Sequence, residues 1–307
     1  MIEPAADIST TVVIPAYGHC PHLQEILEAI LSDKRVPTEV IVSHSGTGDP
    51  TEKLQSTFKS VTVLHSPERL FAGAARNRGA AVATSDILAF CDADTKPQPG
   101  WLSALVAAVE AAPRRVVVGA VGVAQTGGYW GLSNWLLEFS EQAPWRKGGP
   151  QTGGASCNMA LRTREFCDIG GFPEGLPVGA DTPLFASLRE AGAAQVVTPC
   201  AVVAHFNNTG FVAFMQHQTG LGKGFADVRS AREMSGSFAV HHPILAPILF
   251  IPKAGLVLRR TFGGGLRPLM LGLYLLPGVL IGSAVWTWAC FERARAHRSA
   301  GDQRTSG

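Results

Sequence analysis

Short segments rich in β-branched residues alternate with segments of helical periodicity through residues 10–120 of this sequence. Residues 11–14 and 87–90 are typical of buried strands, whereas residues 23–31 place apolar side chains at every third or fourth position, as an amphipathic helix does. Repeated strand–helix units of this length predict a mostly parallel sheet with helices on both faces. Because such sheets bind ligands beyond the carboxyl ends of their strands, the functional site is expected there.

The same patterns predict the other elements of the chain, which continue the alternation and then add a second, shorter set. The further strands are predicted at 39–42, 61–64, 115–118 and 155–161, with a pair of short strands within 195–205, and the further helices at 51–58, 72–83, 101–111, 132–139, 164–169 and 181–190.

The strand at 87–90 ends in two carboxylates one residue apart, Asp92 and Asp94. Alternate residues of a strand point to the same side, so both carboxylates can face one crevice at the sheet edge. Paired carboxylate oxygens there can hold a hard divalent cation, which in turn can hold a diphosphate. The same residues, followed by Thr-Lys-Pro, also fit a turn that caps the next helix.

Composition limits the classes of function that this chain can have. A formal net charge of +2 gives no indication of a nucleic-acid partner, and none is predicted. The six cysteines form no C-x-x-C pair and no metal-ligand spacing, which indicates reduced thiols in a reducing compartment. The N-terminus lacks a basic stretch followed by an apolar core, so no signal peptide is predicted and the catalytic part is expected in the cytoplasm.

The last third of the chain is much more apolar than the rest. Residues 243–258 carry a single charge, and residues 268–291 carry none over 24 positions. At about 1.5 Å per residue, the second stretch is long enough to cross about 30 Å of hydrocarbon as one helix. A membrane-embedded or interfacial helical hairpin is therefore predicted, with a buried core helix as the alternative. The predicted division is a catalytic domain at 1–235, membrane-associated helices at 236–292 and a flexible basic and polar tail at 293–307.

Six segments occur in an order and spacing that resemble a known family. The segments are Val-Val-Ile-Pro-Ala-Tyr at 12–17, Val-Ile-Val-Ser-His-Ser-Gly-Thr-Gly-Asp at 40–49, Ala-Ala-Arg-Asn-Arg-Gly at 74–79, Ile-Leu-Ala-Phe-Cys-Asp-Ala-Asp at 87–94, Asn-Met-Ala-Leu at 158–161 with Ile-Gly-Gly-Phe-Pro at 169–173, and Ala-Asp-Thr-Pro-Leu at 180–184. Together they resemble the family 2 glycosyltransferases of GT-A fold, over residues 10–225. The resemblance implies an α/β fold with a Rossmann-like, mostly parallel sheet flanked by helices, to which this chain adds its hydrophobic helical segment.

The resemblance implies which residues bind a nucleoside diphosphate sugar. Pro15 and Tyr17 belong to the loop that flanks the nucleotide base, and Ser45 lies in the segment that reads the base. Arg76 is expected to neutralise the diphosphate, and Asn77 to bind the ribose or the sugar. The alternatives are that Tyr17 only packs its loop and that Arg76 is a surface cation on an alanine-rich helix.

The resemblance also implies a metal ion and a catalytic base. Asp94, together with His205, is expected to bind Mg²⁺ or Mn²⁺, while Asp92 lies nearer the ribose or a metal-bound water. Asp181 corresponds to the family's aspartate that removes the proton from the acceptor hydroxyl. The alternatives are an N-cap role for Asp181 and a structural role for His205.

The sequence departs from the family pattern at several positions. Ser43-His44-Ser45 stands where the family has paired acids, so base recognition is altered and the donor nucleotide stays open. Ala180 replaces the acid that precedes the catalytic aspartate. The stretch at 216–224 replaces the Q-x-x-R-W motif, which argues against a processive synthase.

The function implied is an inverting, metal-dependent transfer of a single sugar from a nucleoside diphosphate sugar to a lipid-linked or saccharide acceptor. The hydrophobic segment places this reaction at the cytoplasmic face of the inner membrane, in cell-envelope polysaccharide assembly. The alternative is a catalytically degenerate protein that binds a sugar nucleotide or scaffolds a membrane complex. A dinucleotide-dependent oxidoreductase is set aside, because Pro-Ala-Tyr-Gly at 15–18 replaces the G-x-G-x-x-G expected after the first strand.

Overall fold

A single mixed sheet forms the centre of the protein. The computed structural model describes residues 8–124, 128–207 and 210–305. The strands of this described part are β1 (Thr10–Tyr17), β2 (Glu39–Ser45), β3 (Val61–Ser66), β4 (Ile87–Cys91), β5 (Thr95–Pro97), β6 (Arg115–Val123), β7 (Gly149–Pro150), β8 (Asn158–Arg162) and β9 (Ala194–His205).

Helices cover both faces of this sheet and then continue the chain beyond it. They are α1 (Leu23–Leu31), α2 (Thr51–Thr57), α3 (Ala72–Ala81), α4 (Trp101–Glu110), α5 (Gly128–Phe139), α6 (Thr163–Asp168), α7 (Asp181–Glu190), α8 (Phe211–Ala231), α9 (Phe238–His241), α10 (Phe250–Phe262), α11 (Leu266–Tyr274) and α12 (Leu276–Thr305), with a 3-10 helix at Pro243–Leu249 before α10.

The strand order is β3-β2-β1-β4-β8-β6-β9-β5, with β7 paired to β9. Strands β1 to β4 form parallel pairs, as do β6 and β9, whereas β8 runs antiparallel to both of its neighbours. The mostly parallel α/β sheet expected from the sequence is confirmed. From β1 the chain first builds the sheet on one side, through β2 and β3, and then crosses to β4 on the other side. The order of the strands therefore reverses between β1 and β4.

Alternation along the central strands divides the core into two layers. Val12 and Ile14 of β1 are fully buried on the face that α1 and α4 cover. Val13, Leu88 and Phe90 point to the opposite face, where α6 and α7 pack. Because both faces are covered by helices, these strands read as continuous apolar runs in the sequence.

Strand β9 differs from the pair of short strands predicted within 195–205. It is one strand whose register against β6 changes, from the pair Gly119–Thr198 to the pair Ala120–Val202. The extra residues between these pairs include Pro199, which has no N–H to donate to a ladder. Beyond this bulge, β9 pairs with β5 and ends with His205 opposite Thr95.

Asn158 fills the space beside this bulge. Its side chain is fully buried, and its amide donates to the carbonyls of Ala120 and Ala201, each at 2.9 Å. The side-chain oxygen accepts a 2.8 Å hydrogen bond from the indole Nε1 of Trp101. A Cβ at Gly119 would overlap both the Asn158 amide and the Ala201 carbonyl, so only glycine fits there. One side chain thus joins β6, β8, β9 and α4.

The uncharged stretch at 268–291 does not form one straight helix. It is divided between α11 and α12, which meet at a bend of 62°. Pro277, in the first turn of α12, explains the break. In a continuous helix its ring would clash with the backbone carbonyl four residues earlier, and its nitrogen has no N–H to donate. Within the described residues, no single helix is long and apolar enough to span a membrane. The bent pair of α11 and α12 reaches that length and apolarity only when the two helices are counted together.

Helix α12 continues through Thr305, into the range predicted as a flexible tail, of which residues 306 and 307 lie outside the described part. Arg293 and His297 of α12 both bind the carboxylate of Asp227 on α8, at 2.6 Å. These ion pairs hold the helix onto α8. Glycine at 222 allows the close approach, because a Cβ there would overlap the carbonyl of Trp286. The hydrophobic helices therefore pack directly on the sheet-bearing part of the chain.

Replacement of Asn158 by alanine is predicted to destabilise the protein strongly. It leaves the buried Trp101 indole without its acceptor and removes a hydrogen bond from each of two backbone carbonyls, which costs about 2–5 kcal/mol in the free energy of unfolding. Urea denaturation followed by far-UV circular dichroism measures the change. The matched control is Gln24→Ala, which removes an amide from an exposed hydrogen bond to Glu28. Equal stability of the two variants would contradict the role given to Asn158.

Candidate active site

A crevice opens where β1 and β4 separate. The ladder between them ends at the pair Val13–Phe90, although β1 continues to Tyr17 alongside β2. Pro15 cannot donate to a ladder, which suits the position at which the neighbouring strand turns away. A cavity of about 660 Å³ lies beyond these strand ends, as expected for a sheet whose order reverses here. Of the predicted site residues, it brings together Pro15, Tyr17, Asp92, Asp94, Asp181 and His205.

Asp94 and His205 meet through the pairing of β5 with β9. His205 Nε2 lies 3.7 Å from Asp94 Oδ2, and its Nδ1 lies 2.9 Å from the side-chain oxygen of Asn207. When Nδ1 donates to Asn207, the Nε2 lone pair points toward Asp94, the arrangement in which a neutral imidazole binds a metal. The described residues contain no group of three or more metal-binding side chains. A carboxylate and an imidazole fit Mn²⁺ or Mg²⁺ when the remaining ligands are oxygens of substrate and water.

Asp92 has a different partner. Its Oδ1 accepts a 2.5 Å hydrogen bond from Arg76, whose side chain is almost completely buried behind it. Burial raises the pKa of Asp92 and outweighs the lowering by the Arg76 guanidinium. Arg76 also lies 5.3 Å above the ring of Phe172. The guanidinium is therefore occupied with Asp92 beneath the cavity, and it is not among the groups that line the cavity.

Asp181 begins α7, but its carboxylate does not cap the helix. Ser156 holds it instead, with Oγ donating to Oδ1 at 2.6 Å and the backbone N–H donating to Oδ2 at 3.2 Å. Burial raises the pKa of Asp181, while Arg76 and the Ser156 hydrogen bonds act in the opposite direction. A carboxylate that is fixed in position and has a raised pKa is suited to accept a proton near neutral pH.

Tyr17 lies at the mouth of the cavity with half of its surface exposed. The guanidinium of Arg69 lies 4.6 Å above its ring, and both residues line the cavity. The sequence analysis did not single out Arg69, although it is the only cation in the loop at 67–71 before the alanine-rich helix. Arg69, and not Arg76, is the arginine that lines the cavity.

Two other predicted residues lie away from the cavity. Asn77 bonds with its side chain to the backbone of Phe172 and to Glu174, which fastens the loop after α6. Ser45 is fully buried, and its Oγ has no hydrogen-bond partner among the described residues. Beside it, His44 Nε2 donates to the carbonyl of Gly18 at 2.9 Å. Where the family has acids, this chain therefore ties down Gly18, the residue that follows β1. Pro15 and Tyr17, which were expected in a loop, belong to the end of this strand.

The far wall of the cavity is formed by α5 and α8. Asn134, Glu138 and His217 line it, and His217 Nε2 lies 2.7 Å from Glu138 Oε2. The sequence analysis named neither Glu138 nor His217 as a site residue. Glu138 is the only charged residue in helix α5, and that isolation was the available signal. Their contact joins residues 79 positions apart, which no local pattern indicates.

Comparison with known proteins places this chain among sugar-transferring enzymes. The family model described as Glycosyl transferase family 2 matches residues 11–170. The pre-mycofactocin glycosyltransferase of Mycobacterium tuberculosis is 31% identical over 65% of this chain and 43% of its own length. The glucosyl-dolichyl phosphate glucuronosyltransferase of Haloferax volcanii is 24% identical over 54% of this chain and 56% of its own length. The chain thus spans less than two thirds of these curated relatives.

Among solved structures, the mannosyltransferase of Pyrobaculum calidifontis in complex with GDP-Man and Mn²⁺ has the same fold. It superposes with a TM-score of 0.60 over 93% of this chain and 87% of that structure, at 20% identity. The similarity extends over the C-terminal helices as well as the sheet, and at this identity it concerns the fold alone.

Proposed function

We propose, because this chain belongs to glycosyl transferase family 2, that it transfers one sugar from a nucleoside diphosphate sugar to an acceptor hydroxyl, with inversion at the anomeric carbon. The acceptor is lipid-linked or a saccharide, and the reaction takes place at the cytoplasmic face of the inner membrane. One observation carries the proposal: a single cavity contains both the Asp94–His205 pair and the half-buried carboxylate of Asp181. A diphosphate and an attacking hydroxyl can therefore be held in the same space.

Asp181 acts as the general base in this proposal. It accepts the proton of the acceptor hydroxyl while the oxygen attacks the anomeric carbon from the side opposite the nucleoside diphosphate. The two hydrogen bonds from Ser156 fix the carboxylate, and they leave its other lone pairs free to face the cavity. The raised pKa makes this carboxylate a stronger base than an exposed aspartate.

Asp94 and His205 would hold Mg²⁺ or Mn²⁺, which would neutralise the charge that develops on the departing diphosphate. Arg69 adds a positive charge on the side where Tyr17 can stack against the nucleotide base. Arg76 supports the site from below, because it keeps Asp92 in place. The solved mannosyltransferase with the same fold contains GDP-Man and Mn²⁺, which supports this assignment.

Asp181→Asn is predicted to lower transfer by about 10²–10⁴-fold, because an amide cannot accept the proton. Donor binding should stay within about twofold of wild type, since the substitution keeps the shape and the cavity. Release of nucleoside diphosphate from a panel of UDP-, GDP- and dTDP-sugars, with Mn²⁺, measures the turnover. The matched control is Asp168→Asn, an exposed aspartate beside Arg164. Undiminished transfer by Asp181→Asn would refute the role of base.

The same residue sets the acidic limb of the pH profile. Activity requires the ionised carboxylate, so it falls as the pH drops through the raised pKa of Asp181, above the ordinary 3.8. The hydrogen bonds from Ser156 lower this pKa, so Ser156→Ala should move the limb to higher pH. A limb that does not move would show that Ser156 does not contact the titrating group.

Asp94→Asn and His205→Ala are each predicted to weaken binding of Mn²⁺–UDP and Mn²⁺–GDP by at least about 10-fold, because each removes a metal ligand. Isothermal titration calorimetry with the full chain measures the binding, and Asp168→Asn again serves as the control. Binding that is equally strong without Mn²⁺, and unchanged in both variants, would refute the metal site.

The membrane part of the proposal depends on apolar side chains that the C-terminal helices leave exposed. Ile244, Ile251 and Leu266 are each more than 70% exposed, and Met270 and Trp288 are largely exposed too. The exposed Arg259 at the end of α10 and the exposed Arg267 in the first turn of α11 supply positive charge to the same part of the chain. Apolar side chains beside basic ones are typical of segments that lie in the interface of an anionic membrane.

Vesicle flotation tests this part. The full chain should float with vesicles of phosphatidylcholine and phosphatidylglycerol, and the double variant Ile244→Ser, Ile251→Ser should bind about 10-fold more weakly, because less apolar surface enters the membrane. Val36→Ser is the matched control, since Val36 is an exposed apolar residue outside these helices. Equal flotation of both variants, or none by the wild type, would refute membrane binding through this segment.

A further inference from the structure

We propose that the wall formed by α5 and α8 is the acceptor subsite, and that it binds the hydroxyl groups of an uncharged saccharide and not a phosphate. Glu138, His217 and Asn134 are its binding residues. This inference rests on the proposed function and narrows it, because it assigns the acceptor class to a particular set of side chains.

The three side chains are brought together by two helices. Asn134 and Glu138 are four residues apart on α5 and therefore lie on the same face, above one another. His217 on α8 reaches Glu138 Oε2 at 2.7 Å. All three line the cavity that also contains Asp181, whereas Tyr17 lines it at the end of β1 and Arg69 in the loop after β3. A molecule held by this wall shares the cavity with the base.

Each of these residues keeps hydrogen-bonding capacity for a ligand. Only Oε2 of Glu138 is bonded to His217, and Oε1 has no partner among the described residues. The side-chain oxygen of Asn134 accepts a hydrogen bond from Gln218 Nε2 at 2.9 Å, so the orientation of the amide is fixed. Its NH₂ group has no hydrogen-bond partner among the described residues, and Asn134 lines the cavity. The wall thus presents a carboxylate acceptor and an amide donor, and a sugar hydroxyl can use both.

The charges on this wall disfavour an anion. Burial raises the pKa of Glu138, but the hydrogen bond and charge of His217 outweigh it, so the pKa is lowered and the carboxylate stays ionised. The only cation that the described residues place on this wall is His217, and Glu138 neutralises it. Lys253 lies behind the wall, where its Nζ donates to the carbonyl of Leu137, and burial lowers its pKa to about 8.

A phosphate at this wall would face the carboxylate of Glu138, because Arg69, the arginine that lines the cavity, lies on the loop after β3 and not on this wall. Like charges in contact inside a cavity repel each other more strongly than they do in water, because fewer water molecules screen them. Hydroxyl groups carry no such penalty and satisfy the wall's donor and acceptor. The acceptor that fits is therefore a sugar unit, whose attacking hydroxyl gives its proton to Asp181 as its oxygen replaces the nucleoside diphosphate on the anomeric carbon.

The experiment compares acceptors and variants with the full chain. Octyl glucoside, octyl galactoside and octyl mannoside are the neutral acceptors, and farnesyl phosphate is the anionic one. Sugar transfer is assayed with the donor that the wild type hydrolyses, for the wild type, Glu138→Gln and His217→Gln. Donor binding is measured in parallel as a check on folding. The chain supplies a matched control pair, Glu233→Gln and His241→Gln, because His241 Nε2 lies 3.0 Å from Glu233 in an exposed ion pair outside the cavity.

We expect the wild type to glycosylate at least one octyl glycoside and not farnesyl phosphate. Glu138→Gln and His217→Gln should lower kcat/KM for that acceptor by about 10- to 100-fold, since each loses a charge-assisted hydrogen bond, while donor binding changes less than about twofold. The control pair should match the wild type. Transfer to farnesyl phosphate alone, to no octyl glycoside, or at an unchanged kcat/KM in both variants would overturn the acceptor assignment. Absence of donor binding and hydrolysis in the wild type would instead refute the proposed function itself.

Discussion

The buried side-chain amide of Asn158 fixes the part of the sheet on which the site depends. Its three hydrogen bonds satisfy a carbonyl of β6, a carbonyl in the bulge of β9 and the indole of Trp101 on α4. Without them, the extra residues of β9 would leave backbone groups unpaired in the core, at a cost that marginal protein stability does not tolerate. The bulge in turn sets the register in which β9 meets β5, and this register places His205 beside Asp94.

The charged groups of the cavity are arranged in two halves with different chemistry. On the side of the strand ends, Arg69 lies over Tyr17, and Asp94 with His205 is suited to a divalent cation, so this half can hold an anionic diphosphate. On the side of α5 and α8, the charges of Glu138 and His217 cancel, and hydrogen bonding remains. Asp181 lies in the same cavity, held by Ser156. The two halves of the cavity differ in whether a charged side chain has an oppositely charged partner beside it.

The C-terminal helices do more than extend the chain, because they support the wall that carries Glu138 and His217. Helix α12 packs along α8, and small residues on it allow close contact with α5 as well, since a Cβ at Gly278 would overlap the hydroxyl of Ser133. Lys253 of α10 binds a carbonyl of α5, and Arg260 forms a 2.9 Å ion pair with Glu141 just beyond it. The helices that are proposed to meet the membrane therefore also position the proposed acceptor subsite.

Local sequence patterns were sufficient to predict much of the fold, because the periodicity of each segment specifies the strand or helix that it forms. The bounds of α1 and α7 are those predicted, and the strand before Asp92 ends where its apolar run ends. The bulge of β9 and the bend between α11 and α12 were missed. The first depends on contacts with Asn158, far away in sequence, and the second on a proline that outweighs a uniformly apolar composition.

The sequence by itself determined the order of the motifs, the mostly parallel sheet and the placement of Asp92 and Asp94 just after a strand end, because these follow from strand alternation and chain order. Only the tertiary structure decided how individual side chains are used. It buried Arg76 beneath Asp92, turned Asn77 toward the Phe172 backbone, and brought Glu138 to His217. The physical reason is the same in each case: a polar side chain takes the partner that folding brings within hydrogen-bond distance, and that partner is remote in the sequence.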